Sequence, residues 1–211
     1  MFGTQHLWLF VVSGLLLNIT PGQDTVYIVT RSVAQGRAAG LWSVLGISSG
    51  SVVHTLAAAF GLSAILATSA EAFIVVKLAG AAYLGYLGVR MLLERPAAAT
   101  TPGLEAPPAR ESAWAIYRAA LLTNVLNPKV ALFFLAFLPQ FVAPGASSRV
   151  TAFLFLGAVF VFNGTLWCLV LVTAASAFSG RLRRNASGAR RLRQATGAVF
   201  VGLGARLALS K

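Results

Sequence analysis

Two short polar runs interrupt otherwise apolar stretches of this chain: Asn18-Ile19-Thr20-Pro21-Gly22-Gln23-Asp24 and Asn124-Val125-Leu126-Asn127-Pro128-Lys129. Thr20-Pro21 and Asn127-Pro128 each read as a helix N-cap followed by proline at the first helical position. There the missing N–H costs nothing and the fixed φ suits a helix start. Each run would end one helix and begin another, and the two new N-termini, partly positive, suit a carboxylate. The alternative is a pair of ordinary proline kinks. Two breaks flanked by polar side chains favour a small-molecule site built from Asn18, Thr20, Pro21, Gly22, Asn124, Asn127, Pro128 and Lys129.

Asp24 is the only carboxylate away from the ends of a predicted apolar span, Glu71 and Glu94 standing at the two ends of another. A charge in such a place costs about 2.5–3.5 kcal/mol on insertion scales unless it faces water or a partner. Protonation coupled to ligand binding is one reason for it; the other reading is that the first helix ends near Asn18 and Asp24 caps a turn. Lys129 can pair with Asp24, bind a carboxylate, or snorkel to an interface. His54 shares a helix face with Gly46 and Gly50, and serves either as an interhelical hydrogen-bonder or, with Asp24, in proton coupling. Asn163 follows Pro128 by about the distance at which His54 follows Pro21, which joins it to the same candidate cavity.

The elements that hold these residues must be membrane spans. Of 211 residues, 57% are hydrophobic and only 10% charged, and the mean hydropathy is +0.78, which leaves too little polar surface for a water-soluble domain. A helix crossing a hydrocarbon core needs roughly 20 residues. The apolar stretches fall at 5–30, 39–68, 71–94, 113–141, 149–178 and 194–209, and read as six transmembrane helices of an all-α polytopic membrane protein. Runs such as 130–138 are apolar on every side, which excludes the alternation of a β-barrel. From residue 5 to Thr20, and from 113 to Asn127, is about 21–23 Å of helix, so both breaks lie near the bilayer centre. Trp8, Trp42 and Trp114 read as interfacial belt residues.

The segment 96–111, with Pro96, Pro102, Pro107 and Pro108, separates two sets of three helices, 1–95 and 112–211. An odd number per set means that the second enters from the opposite side, a 3+3 inverted repeat with broken first and fourth helices. Basic residues settle the expected orientation. Arg31, Arg37, Arg90, Arg95, Arg110, Arg118 and the six arginines of 180–193 share one side, against Lys77, Arg149, Arg206 and Lys211 on the other. The richer side is cytoplasmic, which puts both termini outside. The net charge of +12 therefore reads as a topology signal that also meets lipid headgroups, with no nucleic-acid partner. The single cysteine, Cys168, allows neither an intramolecular disulfide nor a CxxC metal site. No nucleophile motif or carboxylate cluster points to an enzyme, a resident metal or a cofactor.

The chain resembles the LysE/RhtB family of bacterial amino-acid exporters over nearly its whole length. The likeness is carried by Asn18-x-Thr20-Pro21-Gly22-x-Asp24, Tyr83-Leu84-x-Tyr86-Leu87-Gly88-x-Arg90, and Asn124-x-x-Asn127-Pro128-Lys129 with Phe133-Phe134 and Leu138-Pro139-Gln140-Phe141. Gln23 departs from it, standing where the family usually has a second proline. The resemblance implies a bacterial inner-membrane protein that exports amino acids or close derivatives, driven by protons. Transport of another small solute or a cation on the same scaffold is the alternative. The oligomeric state, a homo-oligomer included, is left open, as is the particular amino acid.

Overall fold

The structure, a computed structural model, describes residues 2–62 and 111–177, with isolated helical positions between 71 and 93 and at 201 and 205. The third expected span at 71–94 and the sixth at 194–209 lie outside the described residues except at those positions. So do most of the 96–111 linker and the arginine-rich run 180–193.

Six helices make up the described part: α1 Leu7–Ile19, α2 Gln23–Gln35, α3 Arg37–Leu56, α4 Ala113–Val125, α5 Pro128–Leu132 and α6 Arg149–Ala177. A π-helical turn, Ala57–Leu62, prolongs α3, and a π turn with a short 3₁₀ turn carries α5 on to Phe141. Arg37–Leu62 and Arg149–Ala175 are long and apolar enough to cross a bilayer. The pair Ala113–Val125 and Pro128–Phe141, bent by 46°, forms a third, broken span, and α1 is a shorter apolar helix. Gly36 makes the corner between α2 and α3 at φ +88°, a left-handed conformation that glycine adopts without steric cost.

Proline chemistry dictates both breaks. The residue before a proline is driven out of the α region, and Thr20 is accordingly extended at ψ 122° and Asn127 at ψ 108°. At Asn127 the expectation holds: its side chain accepts from the Lys129 backbone N–H at 3.0 Å, with Pro128 in the first turn. At Thr20 it does not. Thr20 closes α1, its hydroxyl donating back to the Leu16 carbonyl at 2.7 Å, and the chain restarts only at Gln23 with Gly22 as the extended N-cap. Thr20 cannot cap α2, because it and Pro21 still belong to the exit from α1.

The start of α1 and the end of α5 share one end of the molecule: Gln5 N–H donates to Phe141 O and Ala143 N–H to Gly3 O, both at 2.8 Å. The end of α2 and the approach to α4 share another contact, the ion pair of Arg31 with Glu111 at 2.8 Å. Helix α3 packs tightly on α4. Its Gly46 and Gly50, as expected from their spacing, face the α4 backbone at Tyr117 and the Asn124 side chain, with no room for a Cβ.

Two apolar clusters fill the interior. One gathers Phe10, Phe133, Phe134, Phe137, Phe153 and Phe160 around α1, α5 and α6, with tilted and edge-on ring contacts at 4.8–6.2 Å. The other joins Ile28, Val44, Ile47, Ala120, Cys168 and Val172. Outward-facing apolar side chains such as Trp8, Val26, Trp114, Leu126 and Phe162 are more than half exposed, as suits surfaces whose solvent is lipid.

Candidate functional site

The two helix breaks meet. Pro21 has no N–H to offer the carbonyl four residues before it, so the Leu17 carbonyl loses its helical partner, and the Thr20 carbonyl points out of the helix end. Lys129 replaces both donors: its Nζ donates to Leu17 O at 3.0 Å and to Thr20 O at 3.1 Å. The side chain just inside one break thus caps the helix end at the other. Gly22 makes this approach feasible, because a Cβ there would stand 3.1 Å from Lys129 Nζ. Lys129 forms no direct ion pair with Asp24, and its ammonium stays inside the protein rather than snorkelling to an interface.

Asn124 makes the reciprocal crossing. Buried at the last turn of α4, it donates from Nδ2 to Asp24 Oδ2 at 2.9 Å and accepts from the Ser51 hydroxyl at 3.3 Å. Its backbone carbonyl bonds His54 Nε2 at 3.2 Å, and the imidazole stacks on Phe134 with ring centroids 5.7 Å apart. One asparagine therefore ties the titratable residues of α2 and α3 to α4. His54 occupies the position of an interhelical hydrogen-bonder.

Beside this junction is a small, partly open cavity of about 30 Å³, enough for a water molecule and too small for an amino acid. Asn18, Asp24, Asn124 and Lys129 line it, together with hydroxyl-bearing Thr25, Ser48, Ser51 and Thr165. Ser48 and Thr165 are hydrogen-bonded across α3 and α6 at 2.7 Å. Phe160 and Val130 close it from the aromatic cluster, and Ile47 and Cys168 close it from the other. The polar volume thus lies between the two apolar clusters.

Three buried polar atoms on residues that line the cavity have no hydrogen-bond partner: Asn18 Nδ2, Asp24 Oδ1 and Trp167 Nε1. Leaving such groups unpartnered costs about 1–3 kcal/mol each, so they are expected to be met by something that enters.

Of the residues picked out from the sequence, the structure brings Asn18, Asp24, Asn124 and Lys129 to the cavity wall. Thr20, Pro21, Gly22, Asn127 and Pro128 shape the breaks around it, and His54 reaches it only through Asn124. Asn163, half-buried on α6, lies outside the lining, which α6 supplies through Gly164, Thr165, Trp167 and Cys168 instead. Sequence reasoning passed over Trp167, Ser48, Ser51 and Thr165. Trp167 carried a usable signal: it sits in the middle of α6, away from the helix ends where belt tryptophans belong.

The sequence matches the family model described as LysE type translocator over residues 15–211. It is 33% identical over 210 residues to an uncharacterised membrane protein of Vibrio cholerae, covering 98% of both chains. An uncharacterised membrane protein of Pseudomonas aeruginosa is 31% identical over 207 residues, covering 98% of this chain and 96% of the relative. A leucine efflux protein of Enterobacter sp. (strain 638) is 27% identical over 210 residues, covering 98% of this chain and 97% of that protein. No solved structure matches.

Proposed function

This chain belongs to the LysE type translocator family, membrane transporters rather than enzymes, and from that premise we propose that it exports amino acids or close derivatives from the bacterial cytoplasm by proton antiport. The observation that carries the reading is Asp24: a carboxylate at the first turn of α2, one oxygen held by Asn124 and the other unpartnered, on a residue that lines a polar cavity.

The mechanism is alternating access between two three-helix halves of an inverted repeat, the site lying where their broken helices cross. The cavity in its present form is too small for substrate, so transport requires it to widen. Opening toward the cytoplasm would admit an amino acid whose ammonium is drawn to Asp24 Oδ1. Opening outward would expose Asp24 to protons; neutralising it removes the attraction and releases the substrate. Return of the protonated carrier then links one exported molecule to proton entry. With both termini outside, the cytoplasmic mouth is the end held by Arg31 and Glu111. The relatives named leucine efflux proteins make leucine the first substrate to try.

The test is efflux from proteoliposomes of the purified protein, preloaded with leucine within an amino-acid mixture, with and without an imposed pH gradient. Gradient-dependent loss of leucine or another amino acid is expected, and Asp24→Asn should insert normally yet lose the gradient dependence. No efflux of any amino acid from folded, oriented protein would overturn the export reading. Normal coupled efflux from Asp24→Asn would remove the carboxylate from it.

A further inference from the structure

The three unpartnered atoms at the cavity differ in what they can accept. The Trp167 indole N–H can only donate a hydrogen bond, and the free oxygen of an ionised Asp24 can only accept one. A bare cation would satisfy Asp24 and leave the indole N–H facing positive charge. A bare anion would satisfy the indole and be repelled by Asp24. Water meets both needs, accepting from one and donating to the other, and the cavity has room for it. A zwitterion meets both as well, once the cavity widens.

Lys129, the obvious partner for a substrate carboxylate, is already committed. Two of its three N–H bonds go to the Leu17 and Thr20 carbonyls, and withdrawing it would orphan both. The uncommitted donors are Trp167 Nε1 on α6 and Asn18 Nδ2 at the end of α1. These two helices are closely fitted here, since a Cβ at Gly164 would stand 3.3 Å from Asn18 Nδ2.

We propose that Trp167, with Asn18, forms the carboxylate subsite for a zwitterionic α-amino acid whose ammonium faces Asp24. The assignment rests on the export reading above and deepens it. It makes the headgroup site a product of α1, α2 and α6, so that substrates lacking either charged group lose one side of the recognition. Before substrate enters, a water bridging the two groups would hold its place, and each transport cycle exchanges one for the other.

The experiment measures the apparent KM for leucine efflux, and competition by isopentylamine, which keeps the ammonium and the side chain and has no carboxylate or other acceptor in its place. Trp167→Phe keeps the aromatic bulk and removes the N–H. It should raise the leucine KM at least about tenfold, the loss expected for one hydrogen bond to a charged group, while leaving isopentylamine competition unchanged. Trp167→His, which restores a ring N–H, should recover part of the loss. Asn18→Leu is the second variant, with the same pattern expected should Trp167→Phe fail to fold. An unchanged leucine KM in folded variants, or equal weakening of leucine and isopentylamine, would overturn the subsite while leaving export intact. Absence of amino-acid efflux from the wild-type protein would instead sink the export reading, and this assignment with it.

Discussion

The contact from Asn124 Nδ2 to Asp24 Oδ2, at 2.9 Å, joins residues 100 positions apart and is the hydrogen bond that closes the site between α2 and α4. Its strength can be read by a double-mutant cycle of Asp24→Ala and Asn124→Ala. Asn124→Ala also cancels the Ser51 bond, but that loss appears on both edges of the cycle and drops out of the coupling term. A neutral interhelical hydrogen bond in a membrane protein contributes about 0.6 kcal/mol on average and about 1.7 at most. A bond to a charged group contributes about 1.5–3 kcal/mol. A carboxylate held by a buried amide at 2.9 Å places the expected coupling at about 1.5–3 kcal/mol. The assay is reversible unfolding in mixed detergent micelles for the four proteins of the cycle. A coupling below about 0.5 kcal/mol in folded variants would show that the two side chains are not joined energetically, and the account of Asn124 as the tie across the breaks would fail.

Lys129→Met should destabilise the protein by about 2–4 kcal/mol, since it leaves two carbonyls unpartnered at about 1–3 kcal/mol each. Lys129→Arg, which retains donors, should lose less, and an unchanged unfolding free energy for the Met variant would refute the capping role. Gly50→Ala should cost about 1–3 kcal/mol through overpacking, because its Cβ would stand 2.6 Å from Asn124 Oδ1. Gly61→Ala, with nothing within 4 Å, is the matched control, and equal thermal stability of the two variants would contradict the close α3–α4 contact. Arg31→Gln should cost no more than about 1 kcal/mol, as expected for an ion pair whose Glu111 side chain is 37% exposed. A loss above about 2 kcal/mol in the same unfolding assay would mean that this contact is a structural lock.

Hydropathy alone was enough to define a helical membrane protein, because the cost of unpartnered backbone in lipid leaves few other ways to bury such runs. The positions of both breaks were legible too, since a proline constrains its neighbours wherever it stands. What local chemistry could not show is how each break resolves. Asn127 caps a helix that starts at once, while Thr20 folds back on α1 and leaves the restart to Gly22. Spacing alone offered Lys129 three roles, and its contact with the Leu17 carbonyl, 112 residues away, gave it a fourth.

The class of protein, the two interrupted helices and the chemical types gathered near them are written in local sequence, because hydrophobicity and proline act within a few residues of where they occur. The packed fold adds that Asn124 links Asp24 to His54, that Asn163 lies outside the cavity wall, and that Trp167 lies within it. The physical reason is that apolar helices such as α6 carry little record of which face meets a partner: lipid and protein interior are almost equally apolar, so facing is settled by close packing and a few buried polar bonds between distant segments.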